Sequence, residues 1–237
     1  SPAGQTPCQS VNQQTICRRS TILIIIVWLV SCLVLMSMAP AGESHDIFDY
    51  VFRGRMMSEY QANPLAETPK TYNTAAYYRY LAWHSHVDTY GPLWEMASAG
   101  VARSVSLIDR ISPFGQVLSP GCPGSAAGCQ LLIGYLSGYR LLAIGLMGAA
   151  AALITGILRR SRPELALAGL AAWLWNPLVL LAAAVGAHND MLMVALLMLG
   201  LWLMQRRLPL LALLALILAL HVKLTALIWL PVFLLWI

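Results

Sequence analysis

The sequence predicts an all-α protein, a polytopic bundle of transmembrane helices with a long loop after the first span. Of its 237 residues, 59% are hydrophobic and only 11% are charged, whereas a soluble domain has about 45–50% apolar and about 25% charged residues. The mean hydropathy is +0.67, and several apolar runs approach or exceed the roughly 20 residues that a spanning helix needs. This composition excludes a disordered chain, a coiled coil and a typical soluble enzyme. The net charge of +5 comes without a basic tract, so no nucleic-acid partner is indicated.

The apolar runs predict the spans. A first segment, residues 1–20, precedes the first span at residues 21–39, and a bundle of five further spans occupies residues 131–237. These five runs are residues 131–158, 165–187, 191–204, 208–220 and 224–237. The last two are short, so one tilted or broken helix from residue 208 is the competing interpretation.

The two termini of the sequence carry expectations of their own. The chain lacks an initial Met and stops inside an apolar run, so we expect a piece of a longer protein with further spans after residue 237. A cleaved signal peptide is the alternative for the first span, although Ala39-Pro40-Ala41 matches a cleavage site poorly.

Basic residues predict the orientation. They cluster in three short segments that share one side if the first five spans alternate: Arg18 and Arg19; Arg159, Arg160 and Arg162; Arg206 and Arg207. Short loops rich in Lys and Arg stay in the cytoplasm. We therefore expect an inner (plasma) membrane protein, surrounded by membrane lipids, with a cytoplasmic N-terminus and with residues 40–130 outside.

The polar chemistry concentrates on the predicted outer side. Eight of the ten Asp and Glu residues lie within residues 40–130, and all five His residues lie there or at the outer membrane edge. Residues 45–60 have apolar side chains at helical spacing, with Ser44 as a plausible N-cap, which predicts an amphipathic helix in the membrane interface. Residues 72–94 are rich in Tyr and Trp, which suits either an interfacial aromatic belt or a sugar-binding cleft.

Several of these outer residues are candidates for chemistry, each with an ordinary alternative. Asp46 and Asp49 share a helix face and suit a general base, or simply a solvated helix start. His188, Asn189 and Asp190 stand at the mouth between two apolar runs, where ionisable groups face a cavity more often than lipid, although Asn and Asp also cap helices.

Two cations lie near the predicted outer leaflet. Lys223 separates the last two apolar runs, and Arg140 interrupts the second run. Either could hold a phosphate or extend its charged end to the lipid headgroups.

Metal ligands and disulfides are also considered. On a strand, His84, His86 and Asp88 would share one face and could hold a metal, but a polar loop is the alternative and no fourth ligand has a matching spacing. No cofactor is therefore assigned, and a divalent metal is not indicated. Cys122 and Cys129 suit a local disulfide, whereas Cys8, Cys17 and Cys32 are expected to be reduced.

Four ordered blocks resemble those of the GT-C superfamily of membrane glycosyltransferases, most of all bacterial polyprenyl-phosphate-mannose-dependent mannosyltransferases. The blocks cover most of residues 45–231, in the family's order. They are His45-Asp46-Ile47-Phe48-Asp49-Tyr50 with Gly54-Arg55 and Asn63-Pro64; Tyr90-Gly91-Pro92-Leu93; Trp175-Asn176-Pro177 with His188-Asn189-Asp190; and Val222-Lys223 with Pro231.

The resemblance implies transfer of a sugar, with mannose expected, from a polyprenyl-phosphate donor to an acceptor at the outer face, with inversion. It implies that Asp46 is the catalytic base, with Asp49 in reserve, and that Lys223 and Arg140 bind the lipid phosphate. Substrate contacts are expected from the remaining polar and aromatic residues of these blocks: Tyr50, Arg55, Tyr90, His188, Asn189 and Asp190.

Two alternatives remain open on the sequence alone. The family usually has more spans, so a non-catalytic GT-C-derived subunit packed against other subunits of a membrane complex is one. A transporter or lipid-binding protein that uses His188, Asp190 and Lys223 in its core is the other.

Overall fold

The computed structural model describes residues 11–38, 44–111 and 127–236. Over these ranges the chain forms nine α-helices and four short 3-10 helices, with no strand, so the all-α prediction is confirmed. The α-helices are α1 (Val11–Met38), α2 (Asp46–Glu59), α3 (Pro92–Ile111), α4 (Ala127–Ser161), α5 (Ala166–Leu174), α6 (Pro177–Ala184), α7 (Asp190–Gln205), α8 (Pro209–Leu220) and α9 (Leu230–Trp236).

Two of the described helices are long and apolar enough to cross a bilayer. They contain the stretches Gln14–Ser37, in α1, and Gly128–Ser161, in α4. The segments Pro163–Leu174 and Pro177–Ala184 make a third candidate if they are taken together, although they meet at an angle of 51°. The sequence predicts one unbroken run at this place. The chain bends there because Asn176 caps a new helix, its Oδ1 accepting the Leu178 N–H at 3.0 Å, and Pro177 starts it.

The helices of the bundle alternate in direction. Trp173 on α5 donates through its indole N–H to the Met147 carbonyl of α4, and Trp175 donates to the Ile24 carbonyl of α1. At the far end of α7, the Gln205 side chain donates to the Ile157 carbonyl of α4. The end at which α1 and α6 finish and α7 begins is called the site end below.

The basic clusters lie away from the site end. Arg159 and Arg160 are in the last turn of α4, and Arg206 follows α7, whose end lies beside that turn. Arg18 and Arg19 are in the first part of α1, which runs antiparallel to α4. The charges that predict a cytoplasmic side therefore share one end of the bundle.

The connection between α1 and α4 builds a small helical unit on the site end. Helix α2 packs against α3 and against the first turns of α4, with most of its circumference buried. Its apolar stripe, which the sequence predicts to lie in the membrane interface, therefore contacts protein. Gly54 makes this approach close enough for Tyr139, on α4, to reach α2, because a Cβ at Gly54 would lie 2.5 Å from the Tyr139 hydroxyl.

The last segment of the chain has two helical parts. Helix α8 ends at Leu220, and a 3-10 helix over Leu224–Trp229 leads directly into α9. Residues 221–223 turn between them at the site end, and Phe233 on α9 then lies beside Gly200, far along α7. The two parts pack against each other, so the alternative of one tilted or broken helix from residue 208 is wrong.

Candidate functional site

A cavity of about 390 Å³ opens beside the first half of α2. Asp46, Asp49 and Arg53 recur at helical spacing and line one wall. The loop over residues 83–90 forms the facing wall. Its lining residues are Trp83, His86, Val87, Asp88, Thr89 and Tyr90. The volume is within the range that proteins use for small-molecule ligands.

Asp46 stands at the rim of this cavity, in the first turn of α2. The N-cap residue is His45 rather than the predicted Ser44, although the Ser44 hydroxyl oxygen accepts the Asp46 backbone N–H at 3.2 Å. The Asp46 side chain is 28% exposed, and its Oδ2 lies 3.8 Å from Nδ1 of His188. One carboxylate oxygen thus faces a histidine from the other half of the chain, while the side chain keeps access to the cavity.

The Arg53 side chain contacts both walls of the cavity. It is almost completely buried, and its Nε lies 3.5 Å from Asp88 Oδ2 and 3.9 Å from Asp49 Oδ1. One terminal nitrogen donates to the carbonyl oxygens of Trp83, at 3.3 Å, and His86, at 3.1 Å. This one guanidinium therefore holds both ends of the loop wall to α2.

Asp49 is also buried, with 3% of its surface exposed. Burial raises the pKa of the Asp49 carboxyl to about 7, and Arg53 opposes that shift only in part. Asp49 therefore titrates near neutral pH, unlike a solvated helix-start carboxylate.

Glu95, on α3, completes the buried acidic group. It is 2% exposed, and burial, reinforced by the neighbouring Asp88, raises the pKa of the Glu95 carboxyl well above its usual range. Neither oxygen of Glu95 meets a hydrogen-bond donor within the described ranges. The raised pKa favours the protonated form of Glu95, and the network then holds fewer charges than its residues suggest.

A second polar group stands beside Tyr90. Lys223 Nζ donates to both carboxylate oxygens of Asp190, at 2.9 and 3.1 Å, and lies 5.8 Å from the centre of the Tyr90 ring. The Gly91 N–H donates to the Val222 carbonyl at 3.0 Å. Residues 90–93 and residues 221–223 are thereby locked together, with Tyr90 between Lys223 and the cavity.

The family comparison can now be set beside this geometry. Residues 5–237 match the family described as alpha-(1->6)-mannopyranosyltransferase, N-terminal domain. The chain belongs to this family. No curated protein and no solved structure matches the chain. The resemblance to the GT-C mannosyltransferases is confirmed, and this protein is a membrane mannosyltransferase.

The structure brings most of the predicted site residues of the mannosyltransferase together. Asp46, Asp49 and Tyr90 line the cavity, and His188, Asp190 and Lys223 stand at its side. Tyr50 and Asn189 lie behind them, both buried. The Tyr50 ring contacts those of Tyr90 and Trp94 edge to face, at 5.6 and 4.8 Å between centres, so Tyr50 supports the Tyr90 wall from the protein interior.

Two predicted residues lie elsewhere. Arg55 points to the other side of α2, where it forms a 2.7 Å ion pair with Glu59 and lies 4.9 Å from the Tyr77 ring centre. Arg140 is 6% exposed, and its guanidinium donates to the carbonyls of Val185 and Met36. These contacts favour a packing role for Arg55 and for Arg140, so neither is carried into the proposal below.

The cysteine and metal predictions have mixed outcomes. Cys129 is disulfide-bonded, and its predicted partner Cys122 lies outside the described residues. Cys17, which we expect to be reduced, is also disulfide-bonded, whereas Cys32 is a free thiol. Cys8 lies outside the described residues. Within the ranges that the structure covers, no cluster of three or more His, Cys, Asp or Glu side chains is arranged to hold a metal ion. His84, His86 and Asp88 lie on a loop, and Asp88 is turned toward Arg53.

Sequence reasoning missed the buried network. The sequence pattern singles out neither Arg53 nor Glu95. The network takes its three carboxylates and one guanidinium (Asp49, Asp88, Glu95 and Arg53) from α2, α3 and the loop between them, so no local pattern in the sequence marks it.

Proposed function

We propose that this mannosyltransferase moves mannose from a polyprenyl-phosphate donor to an acceptor hydroxyl at the outer membrane face, with inversion at the anomeric carbon. The observation that carries the proposal is that one anion and one cation lie beside Tyr90 at the same end of the bundle: Asp46 lines the cavity with Tyr90, and Lys223 Nζ lies 5.8 Å from the Tyr90 ring centre.

Asp46 acts as the general base. Its carboxylate takes the proton of the acceptor hydroxyl while that oxygen forms a bond to the anomeric carbon of mannose. His188, 3.8 Å away, orients the carboxylate. The partial exposure of Asp46 supports this role, because the base must reach a substrate, whereas the Asp49 side chain is only 4% exposed and is paired with Arg53.

Lys223 acts on the leaving group. As the bond from mannose to the phosphate oxygen breaks, its electron pair stays on the polyprenyl phosphate, which gains negative charge. The Lys223 ammonium, held by Asp190 at the side of the cavity, neutralises that charge as it forms. Attack from the Asp46 side and departure on the Lys223 side give inversion.

The charge distribution supports an outer location for the site. The basic clusters occupy the end of the bundle opposite the site, and short basic connections remain in the cytoplasm. The site then faces the outside of the inner membrane, level with a donor whose lipid tail is dissolved in the bilayer.

An assay of the purified chain with polyprenyl-phosphate-mannose and a mannoside acceptor tests the proposal. We expect Asp46→Asn to lower the transfer rate by about 10²- to 10⁴-fold, the range for loss of a general base, without changing the melting temperature. Asp109→Asn, an exposed carboxylate on α3, is the matched control and should retain full activity. Equal rates for wild type and Asp46→Asn would remove Asp46 as the base.

A further inference from the structure

We infer that the acidic cavity beside α2 is the subsite for the carbohydrate acceptor, and that the exposed indole of Trp83 is the platform on which an acceptor sugar ring stacks. This inference rests on the proposed function and deepens it by assigning one substrate to each side of Tyr90.

The charges on the two sides of Tyr90 differ in sign. Asp46, Asp49 and Asp88 line the cavity. Among the described residues that line it, Arg53 is the one permanent cation, and it is buried and already bound to two carboxylates and two carbonyls. Such a surface offers a phosphate no open cation, whereas the exposed part of Asp46 offers an acceptor to a sugar hydroxyl group. The ammonium of Lys223, on the far side of Tyr90, suits the phosphate of the donor.

Trp83 provides an apolar face within this polar cavity. It is 56% exposed, although indole rings are among the largest apolar side chains and are highly buried on average. Its ring lies next to that of His86, with 6.4 Å between their centres. The face of an aromatic ring carries partial negative charge, which attracts the weakly positive C–H groups on one face of a pyranose.

The backbone around Trp83 is held by hydrogen bonds, although the Trp83 side chain is exposed. Arg53 donates to the Trp83 carbonyl, and the His84 carbonyl accepts the Lys70 N–H at 2.9 Å. The Asp88 N–H donates to the Pro64 carbonyl at 2.8 Å. A platform fixed in this way loses little conformational freedom when a ligand binds, which favours specific binding.

An exposed Trp in a membrane protein also suits a plain role as an interface anchor, and Trp236 offers a matched comparison. Trp236 is 54% exposed and lies on the terminal apolar helix α9, outside the cavity. An anchoring role predicts the same effect for both residues, whereas an acceptor platform predicts an effect for Trp83 alone.

The test uses two readouts on the full chain in detergent. Saturation-transfer NMR measures binding of alpha-(1->6)-mannobiose, and steady-state kinetics measures the KM values for acceptor and donor separately. We expect Trp83→Ala to weaken mannobiose binding and raise the acceptor KM by about tenfold or more, the effect of losing one well-packed ring contact, with the donor KM unchanged. Trp83→Phe should retain part of the affinity, and Trp236→Ala should match wild type.

The outcomes separate this inference from the proposed function. If wild type binds mannobiose and Trp83→Ala does not, the subsite stands even if no mannosyl transfer is detected. If Asp46→Asn abolishes transfer while Trp83→Ala and Trp83→Phe keep the wild-type acceptor KM and mannobiose affinity, the subsite is wrong and the proposed function stands. Equal losses in Trp83→Ala and Trp236→Ala would also overturn the subsite.

Discussion

Lys223 Nζ lies 2.9 Å from Asp190 Oδ1, and the two residues are 33 positions apart in the chain. Helices α7 and α8 run antiparallel between them, so the pair closes the hairpin at the site end. Both side chains are about one third exposed, at 31% for Lys223 and 36% for Asp190. The pair is therefore open enough to meet a ligand, and it orients the ammonium beside Tyr90.

Replacing Lys223 by Gln should weaken donor binding with little loss of stability. Without the ammonium the donor phosphate loses a charge-assisted partner, and we expect its KM to rise about tenfold or more. A partly exposed ion pair contributes at most about 1 kcal/mol to folding, so the free energy of unfolding should change by less than that. Lys223→Arg should restore most of the activity.

The exposed Lys70 gives the control for this experiment. Lys70→Gln removes the same charge away from the site and should leave the donor KM unchanged. A wild-type donor KM in Lys223→Gln would exclude Lys223 as the phosphate ligand.

Asp49→Asn should change how stability depends on pH. The pKa of Asp49 is raised from 3.8 to about 7 in the folded protein, so between these values the folded state binds more protons than the unfolded chain. The contribution of Asp49 is therefore most favourable below about pH 4, declines as the pH rises to about 7, and is constant above that. Asp49→Asn lacks this decline.

Thermal or denaturant unfolding of both proteins from pH 4 to pH 8 measures the effect. The free energy of unfolding of wild type minus that of Asp49→Asn should fall as the pH rises from about 4 to 7, by at most about 1.4 kcal/mol per pH unit. Asp109→Asn serves as an exposed control. A difference that does not vary over this range would show that Asp49 is not buried as described.

Gly91→Ala should separate the loop wall from residues 221–223. A Cβ at Gly91 would overlap the His221 carbonyl, while the Leu93 N–H donates to that same oxygen at 3.0 Å. Overpacking of this kind costs about 1–3 kcal/mol, and the movement of Tyr90 away from Lys223 should also lower the transfer rate.

Gly100 provides the matched comparison, since no heavy atom of the described residues beyond its own helix lies within 4 Å of a Cβ built there. It lies within α3, where Ala is favoured over Gly by about 0.5–1 kcal/mol. Gly100→Ala should therefore be neutral or stabilising. A Gly91→Ala protein with wild-type stability and activity would contradict the close approach.

The sequence predicted the long helices well because their evidence is local. An uncharged apolar run identifies α1, and another, interrupted only by Arg140, identifies α4. The break between α5 and α6 was not predicted, because Asn176-Pro177 lies inside a run that is apolar on both sides. A hydropathy average over many residues hides two residues such as Asn176-Pro177. The helix is interrupted there because Pro177 has no backbone N–H to donate.

The candidate site was predictable in part for the same reason. Topology alone places Asp46, His188, Asp190 and Lys223 at one end, and the structure brings them there. The role of Arg53 depends on a loop that folds back across α2, and helical periodicity says nothing about such a loop. Charged residues on one helix face look alike in sequence whether water or another segment covers them.

Arg140 has a consequence for the geometry of the reaction. It donates to carbonyls near the ends of two helices, Met36 in α1 and Val185 after α6, and the chain proceeds from these ends to Asp46 and His188. One guanidinium thus bonds the end of α1 and the residue after α6, and it holds these two segments at the same level of the bundle. We therefore expect the 3.8 Å spacing of Asp46 and His188, and with it the alignment of the proposed base, to depend on a side chain buried within the bundle.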